Sequence, residues 1–326
     1  MSFVHDDADF VALLQIVAEK RRLGVALVEK DYWVTHTLWA LHAQGFEVWF
    51  KGGTSLSKGF GLIERFSEDI DLKLEPGTVT GLSSVTNWKS EGTKATAERK
   101  AHFETLAATL QVPAAKVKLG TVIDASHRSA NLQVDYPGKH HAALSTVLRP
   151  FVLLEVGSAR VTPFVARDMT SFVHDHLERA GQLGDFDDNR PRAVRCVHPL
   201  VTLLEKLDAL MRRLPRKDAA PATFVRHFED AAHIVRSKAA LPVLADYANV
   251  RALAEEMLAQ KQISSLPSPA HAAFSPTDDD RWRAVQKAWD AIGPMFWGPR
   301  ISLEDACADI RSWLDGDLQP RQGSPR

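Results

Sequence analysis

The alternation of apolar and polar residues divides the chain into a mixed first part and a helical second part. Apolar residues recur at helical spacing in some segments and at every second position in others. The predicted elements are helices in residues 6–45, a strand, a helix and a strand in 46–75, a loop in 76–90, a helix near 93–111, and strands at 119–124, 130–136 and 149–156. From about Val165 onward the periodicity is helical.

This order of elements predicts an α+β protein with two lobes. Residues 1–165 are expected to form a mixed sheet flanked by helices, and residues 166–318 a helical C-terminal lobe. Residues 319–326 are expected to be a disordered tail. A chain of 326 residues with 45% hydrophobic content is long enough to bury a core in each lobe.

Two adjacent glycines follow the first predicted strand. The run Glu47–Phe50 ends just before Gly52 and Gly53, where the backbone can approach a ligand without an intervening Cβ. A helix is expected to begin near Thr54 or Ser55, with its unpaired N–H groups and the positive end of its dipole directed at the glycines. This arrangement suits an anionic phosphate group.

Two aspartates lie on the next predicted strand. Asp69 and Asp71 alternate with apolar residues, so both carboxylates face the same side of the strand. Neighbouring carboxylates repel each other unless a cation lies between them, and hard divalent cations such as Mg²⁺ prefer carboxylate and phosphate oxygens. A phosphate-binding turn followed by such a pair predicts phosphoryl or nucleotidyl transfer. The Walker and dinucleotide-binding glycine patterns are both missing at this turn.

Three segments resemble the nucleotidyltransferase toxins of the AbiEii/AbiGii type, the MenT-like toxins of type IV toxin–antitoxin systems, within the DNA polymerase β-like superfamily. These segments are Glu29–Thr35, Phe50–Lys58 and Arg65–Leu72. The resemblance implies a polymerase β-like nucleotidyltransferase lobe with a helical C-terminal lobe. It also implies an enzyme that needs Mg²⁺, with Mn²⁺ as the alternative ion, and transfers nucleotides from an NTP to RNA, at the 3′ end of tRNA, which blocks translation. A cognate antitoxin protein would neutralise it.

The resemblance also implies roles for individual residues. Asp69 and Asp71 match the metal-binding, catalytic pair. The nucleotide-binding turn comprises Gly52, Gly53, Thr54, Ser55 and Lys58. The superfamily has a third metal-binding acid on a neighbouring strand; Glu155 is the candidate, because its flanks are apolar and a buried carboxylate without a partner is costly. Asp135 is the rival, and a structural pairing of Glu155 with Arg160 is the alternative.

Two later residues match the remaining catalytic positions of the family. Lys206 lies in a Glu-Lys-Leu sequence on a predicted helix that opens at His198, and Asp230 ends a sequence similar to an Arg-His-Tyr-Tyr-Asp pattern. The resemblance places both at the catalytic site. Without it, Lys206 would be a lysine bordering a buried face, and Asp230 the ion-pair partner of Arg226 one helical turn away.

Composition and charge restrict the partners and the compartment. The net charge is −1 and the pI about 6.9, so RNA contact would need a local basic patch. The candidate residues are Arg190, Arg192, Arg195, Arg212, Arg213, Arg216 and Lys217. The alternative is a solvated helix end. Cys196 and Cys307 lack metal or redox spacing, and no apolar stretch is long enough to cross a membrane, so we expect a cytoplasmic protein without membrane contact.

Two other functions stay open from the sequence. The same fold could nucleotidylate a protein or a small molecule, or the protein could bind nucleotide or antitoxin without turnover. The intact pair of Asp69 and Asp71 argues against a protein without turnover, because their mutual repulsion is unfavourable in the absence of a metal. The sequence names neither the nucleotide base nor the antitoxin.

Overall fold

The computed structural model describes residues 2–67, 69–122, 125–140 and 148–318. The chain forms two compact units. The first unit consists of the residues up to Phe60, Phe66–Val161 and Ala166–Cys196, and the second of Gly61–Arg65, Thr162–Val165 and the chain from Val197 onward. Each unit has its own buried core.

Seven strands within the described residues form one mixed sheet. They are β1 (Glu47–Lys51), β2 (Asp69–Glu75), β3 (Lys116–Val122), β4 (Ser129–Asp135), β5 (Val152–Gly157), β6 (Phe164–Arg167) and β7 (Val194–Val197). Their order across the sheet is β3-β4-β5-β2-β1-β7-β6. Strand β2 pairs antiparallel with β1 and parallel with β5, so the strand that carries both aspartates lies inside the sheet.

Side-chain alternation explains the central place of β2. Ile70, Leu72 and Leu74 are at most 2% exposed, so this face of the strand belongs to the core. Asp69 and Asp71 lie on the opposite face and are partly exposed. A strand with one apolar and one polar face can therefore hold two carboxylates at a surface while its other side stabilises the sheet.

The helices of the first unit surround a buried central helix. They are α1 (Phe10–Arg21), α2 (Val25–Ala43), the single turn α3 (Gly52–Thr54), α4 (Thr93–Thr109) and α5 (Phe172–Ala180). Helix α2 packs against α1, α5, β1 and β5, and it buries Tyr32, Trp33 and Leu38. A helix that is buried on nearly all sides is typical of a core position.

The second unit is helical. Its longer helices are α6 (Pro199–Arg213), α7 (Arg226–Arg236), α8 (Val250–Ala259), α9 (Asp280–Ala291) and α10 (Leu303–Trp313). Pro199 occupies the first turn of α6, and His198 Nδ1 accepts a hydrogen bond from the backbone N–H of Leu200 at 3.2 Å. Leu203, Leu207 and Leu210 are fully buried, and α6 packs against α7.

The predicted α+β class is confirmed, with a mixed sheet flanked by helices and a helical C-terminal part. The expectation of purely helical structure from Val165 onward is wrong for β6 and β7. The predicted division after residue 165 also differs from the observed units, because α5 packs on α1 and α2, and β7 pairs with β1. Residues 319–326 lie outside the described residues. None of the described helices is long and apolar enough to span a bilayer.

Candidate active site

The glycine turn at the end of β1 makes room for one of the predicted metal ligands. Gly52 has a φ of 73°, which favours glycine. A Cβ at this position would lie 1.8 Å from Asp71 Oδ2, a distance that no side chain could tolerate. The helical turn α3 begins at Gly52 itself, slightly earlier than expected, and continues into a single π-helical turn, Ser55–Gly59. Gly52 therefore permits both the tight turn and the position of the Asp71 carboxylate.

Strand pairing brings Glu155 next to Asp71. Strands β2 and β5 are parallel, with Asp71 opposite Glu155 and Asp69 opposite Leu153. On the other side of β2, Lys51 is the register partner of Asp71. Side chains of paired residues on adjacent strands lie on the same face of the sheet, so these two acids are neighbours.

The rival third acid, Asp135, lies further along β4. Asn131 is the β4 residue opposite Glu155, and Asp135 follows it by four positions on the same strand. The Asp135 carboxylate pairs with Lys118 at 2.8 Å and accepts a hydrogen bond from Gln133 at 2.5 Å. Those contacts give Asp135 a structural role. The register favours Glu155 as the third acid, and that assignment stays a prediction.

A guanidinium group occupies one side of the acidic pair. Arg149 Nη1 donates a hydrogen bond to Asp69 Oδ1 at 3.1 Å, so Asp69 already faces a positive charge. The donor set of Asp69, Asp71 and Glu155 fits a hard divalent cation in kind, because all three supply carboxylate oxygens. No three His, Cys, Asp or Glu side chains among the described residues are gathered closely enough to hold a metal ion.

The polar side chains of the predicted nucleotide-binding turn are buried or hydrogen-bonded within the protein. Thr54 Oγ1 donates to the backbone carbonyl of Asp69 at 2.7 Å, which fixes the start of β2 against the turn. Ser55 is buried, and its hydroxyl oxygen is shielded from solvent. The Lys58 ammonium forms an ion pair with Asp31, and both side chains are less than 10% exposed. A role for this turn in nucleotide binding would therefore come mainly from its backbone.

Three consecutive charged residues of α2, Glu29, Lys30 and Asp31, are buried and hold neighbouring segments in place. The sequence analysis assigned them no individual roles. Glu29 accepts hydrogen bonds from the backbone N–H groups of residues 139 and 140, at 2.7 and 2.9 Å. Lys30 Nζ donates to the carbonyl of Arg149 at 2.7 Å. Asp31 accepts from the backbone N–H of Phe172 at 2.9 Å as well as from Lys58. The only available signal was their place in a segment that resembles the family.

Lys206 and Asp230 meet in the core of the second unit. Lys206 Nζ donates to Asp230 Oδ2 at 2.8 Å. Arg65 donates to both oxygens of the same carboxylate through Nε and Nη2, each at 2.7 Å. Burial alone would raise the pKa of Asp230, but the charges of Arg65 and Lys206 outweigh it and hold that pKa well below its usual range. Asp230 is thus an ionised, buried group with two cationic partners, and the sequence analysis missed Arg65.

The residue before Asp230 departs from the Arg-His-Tyr-Tyr-Asp pattern. Glu229 stands at a position where an aromatic residue was expected, and it is completely buried. Its carboxylate accepts hydrogen bonds from Arg300 Nε at 2.8 and 2.9 Å and from the backbone N–H of Ile301 at 3.1 Å. The guanidinium of Arg300 in turn lies over the ring of Phe296, 4.1 Å from its centroid. At the position where the pattern has an aromatic residue, this protein therefore has a buried glutamate that pairs with Arg300.

Most residues of the predicted basic patch are paired with acids. The pairs are Arg190–Asp188, Arg192–Asp168, Arg195–Glu47, Arg212–Asp208 and Arg216–Asp218. Each pair neutralises part of the positive charge that the sequence suggests. RNA contact at these residues stays a prediction.

Cys196 and Cys307 are both buried and unpaired by any disulfide. Burial raises the pKa of each thiol to about 12, so neither is a thiolate near neutral pH. Burial and a raised pKa both disfavour nucleophilic chemistry at these cysteines.

A family comparison identifies the chain. The family described as nucleotidyl transferase AbiEii toxin, type IV TA system, matches residues 38–301, which is well over half of the chain. The protein is therefore of the nucleotidyltransferase class. It belongs to the AbiEii family of toxins from type IV toxin–antitoxin systems, and the resemblance inferred from the three sequence segments is confirmed at the level of the family.

Solved structures offer distant likenesses. The nucleotidyltransferase toxin MenT4 from Mycobacterium tuberculosis H37Rv is 15% identical, with a TM-score of 0.38 and coverage of 92% of this chain and 99% of that one. JHP933 from Helicobacter pylori is 13% identical, with a TM-score of 0.38 and coverage of 89% and 90%. Similarity at this level carries no inference about activity. Comparison with curated protein sequences finds no match.

Proposed function

We propose that this toxin is a metal-dependent nucleotidyltransferase that transfers nucleotides from an NTP to the 3′ end of tRNA and so blocks translation. The observation that carries the proposal is the position of Asp71, whose carboxylate fills the space left by Gly52 and lies beside Glu155 on the next strand. A phosphate held at the glycine turn would lie close to these acids. Membership of the AbiEii family supports the reaction class.

Asp69, Asp71 and Glu155 would hold Mg²⁺ or Mn²⁺. When bound, such an ion supplies charge neutralisation at the phosphates and lowers the pKa of an attacking hydroxyl. The backbone of Gly52, Gly53 and the residues that follow would face the triphosphate, while the side chains of Thr54 and Lys58 keep the turn in place through Asp69 and Asp31.

Lys206 and Asp230 would act as a pair. Asp230 keeps the Lys206 ammonium and the Arg65 guanidinium oriented within the second unit, because its carboxylate binds both. We assign Lys206 the role of neutralising negative charge during transfer and Asp230 the role of placing it. A cognate antitoxin and a cytoplasmic site of action, where tRNA is found, complete the proposal.

The test is a transfer assay with matched acid variants. Purified protein and Mg²⁺ are incubated with total bacterial tRNA and each labelled NTP in turn, using the wild type and the variants Asp71→Asn, Glu155→Gln and Asp135→Asn. We expect label on tRNA with the wild type and a loss of at least roughly 100-fold for Asp71→Asn and Glu155→Gln, because a metal ligand is removed. Asp135→Asn serves as the control and should keep most of the activity.

Each alternative has its own signature. Label on protein or on a small molecule, with none on tRNA, would replace the acceptor and keep the reaction. Full activity in a folded Asp71→Asn variant would overturn the metal site. Activity lost in Asp135→Asn and kept in Glu155→Gln would exchange the third acid. Circular dichroism of each variant shows whether the fold is intact.

A further inference from the structure

The contact between Arg149 and Asp69 places a cation where the proposed metal ion would bind. The distance between Arg149 Nη1 and Asp69 Oδ1 is 3.1 Å, and the Arg149 side chain is 46% exposed while that of Asp69 is 16% exposed. The two residues are 80 positions apart in sequence, so the fold itself creates this ion pair. It partly neutralises the acidic face of β2.

The backbone of Arg149 is held by a hydrogen bond from a buried lysine, whereas its side chain is half-exposed to solvent. Lys30 is fully buried in α2 and donates its ammonium to the Arg149 carbonyl at 2.7 Å, and that ammonium also lies 5.5 Å from the centroid of the Phe66 ring. The guanidinium itself lies at the end of a long, half-exposed side chain. Rotation about the side-chain bonds could therefore withdraw the guanidinium from Asp69 without moving the backbone.

We propose that Arg149 is an exchangeable counter-ion of the nucleotidyltransferase site. Its guanidinium neutralises Asp69 while the acids hold no metal, gives up that carboxylate when a divalent cation binds, and then pairs with the phosphates of the incoming nucleotide. This inference rests on the proposed function, because it takes Asp69, Asp71 and Glu155 as the metal ligands. Lys30 is a positioning residue, because its hydrogen bond to the Arg149 carbonyl holds the backbone from which the guanidinium extends.

The energetics favour such an exchange. An ion pair with this much solvent exposure contributes little stability, so a divalent cation can displace the guanidinium at small cost. A triphosphate offers several anionic oxygens, and the planar guanidinium fork binds two of them at once. The same side chain therefore opposes metal binding and favours nucleotide binding, which are effects of opposite sign.

The test measures binding of Mn²⁺ and of nucleotide separately, without relying on turnover. Mn²⁺ binding to the full-length protein is followed by electron paramagnetic resonance, and binding of each NTP is then measured by calorimetry at saturating Mn²⁺. For Arg149→Gln we expect the Kd for Mn²⁺ to fall about two- to fivefold. The Kd for the NTP should rise about tenfold, because a charged hydrogen-bond donor to phosphate is lost.

Lys73→Gln is the matched control. Lys73 lies two residues after Asp71 on the same face of β2, pairs with Glu75 at 3.1 Å and stacks on Trp49, so its removal deletes one positive charge near the site. We expect this variant to change either Kd by less than about twofold, since the charge of Lys73 is already paired with that of Glu75. Arg149→Lys keeps the charge and should restore part of the nucleotide affinity.

The outcomes separate this inference from the proposed function. Unchanged Mn²⁺ and NTP affinities in Arg149→Gln would overturn the role of Arg149 and leave the proposed function standing. Equal shifts in Lys73→Gln and Arg149→Gln would also overturn it, because the effect would then be a general one of net charge. Mn²⁺ binding that persists unchanged in Asp71→Asn would overturn both, since the metal site itself would be misplaced.

Discussion

At the scale of single residues, both the backbone turn and the candidate site require that Gly52 has no Cβ. Replacement by alanine would force a side chain into the left-handed region and place its Cβ against Asp71 Oδ2. The Asp71 carboxylate would have to leave the position that it holds beside Gly52. Since a displacement of about 1 Å at a reacting centre can cost roughly 100-fold in rate, we expect Gly52→Ala to lose about that much transfer activity. The labelled tRNA assay measures it.

Gly181 provides the control for backbone strain. It has a φ of 72°, almost that of Gly52, but a Cβ there would meet no atom within 4 Å. Gly181→Ala therefore adds the same strain at the end of α5 without touching a carboxylate. We expect a small loss of thermal stability and near-normal transfer. A loss of activity equal to that of Gly52→Ala would mean that strain, and not the collision with Asp71, limits the enzyme.

At the scale of elements, the carboxylate of Asp230 joins α6, α7 and the segment around Arg65. Removing the charge in Asp230→Asn would leave the Arg65 and Lys206 cations buried against each other. Breaking a buried pair in this way typically costs about 3–5 kcal/mol. We therefore expect a clear fall in the free energy of unfolding of the second unit, measured by urea denaturation of the purified variant.

Asp71→Asn is the comparison for that measurement. Asp71 lies on the partly exposed face of β2, so its replacement should change stability little. If Asp230→Asn unfolds at the same urea concentration as the wild type, the ion-pair network does not stabilise the unit. Loss of transfer in that stable variant would then support a direct catalytic role for Asp230.

Elements with a clear local periodicity can be predicted from the sequence, whereas short strands cannot. The alternation in β2 and the leucine spacing in α6 follow from local periodicity, so both were predicted close to their observed positions. Strands β6 and β7 have four residues each, too few to show a period, and β7 is defined by its pairing with Trp49 and Phe50 of β1. Their positions depend on tertiary contacts.

The candidate site likewise has residues that a local sequence pattern predicts and residues that only the folded chain brings together. The glycines and the two aspartates lie within 20 residues of one another, and their residue types alone suggest phosphate and metal chemistry. The contacts of Lys30 with Arg149 and of Arg65 with Asp230 join residues 119 and 165 positions apart. No local pattern marks such partners, because only the folded chain brings them together.

At the scale of the whole molecule, buried histidines couple stability to pH. In the first unit, Asn189 Nδ2 donates to His36 Nδ1 at 2.7 Å, and His36 Nε2 donates to the carbonyl of Pro113 at 3.1 Å. His174 Nε2 donates to Asn189 Oδ1 at 2.7 Å, and Ser171 Oγ donates to His174 Nδ1 at 2.7 Å. Both rings use both nitrogens in the neutral form, so neither can accept a further proton without breaking a bond.

Burial lowers the pKa of His36 to about 3 and that of His174 to about 4, and in the second unit it lowers the pKa of His227 well below its usual value. The unfolded chain binds these protons near pH 6.5, whereas the folded chain does not. Unfolding therefore takes up protons, and stability is complete above pH 6.5 and falls as the pH drops toward 4. Protonation of the unfolded chain at His36 and at His174 should each cost about 2 kcal/mol of stability at pH 5.

His36→Gln tests this coupling. Two compact units need not unfold together, so urea unfolding at pH 7.5, 6.5, 5.5 and 5.0 is read by pulsed hydrogen exchange in α2 and α6, with labelling at one fixed pH. At pH 7.5 the variant should be less stable, because Asn189 loses a well-placed acceptor. Between pH 7.5 and 5.0, the stability measured in α2 should fall by about 2 kcal/mol less in the variant than in the wild type. The pH dependence measured in α6, which belongs to the same unit as His227, should stay the same. An unchanged pH dependence in α2 would show that His36 is already protonated in the folded protein or that other groups control its acid sensitivity.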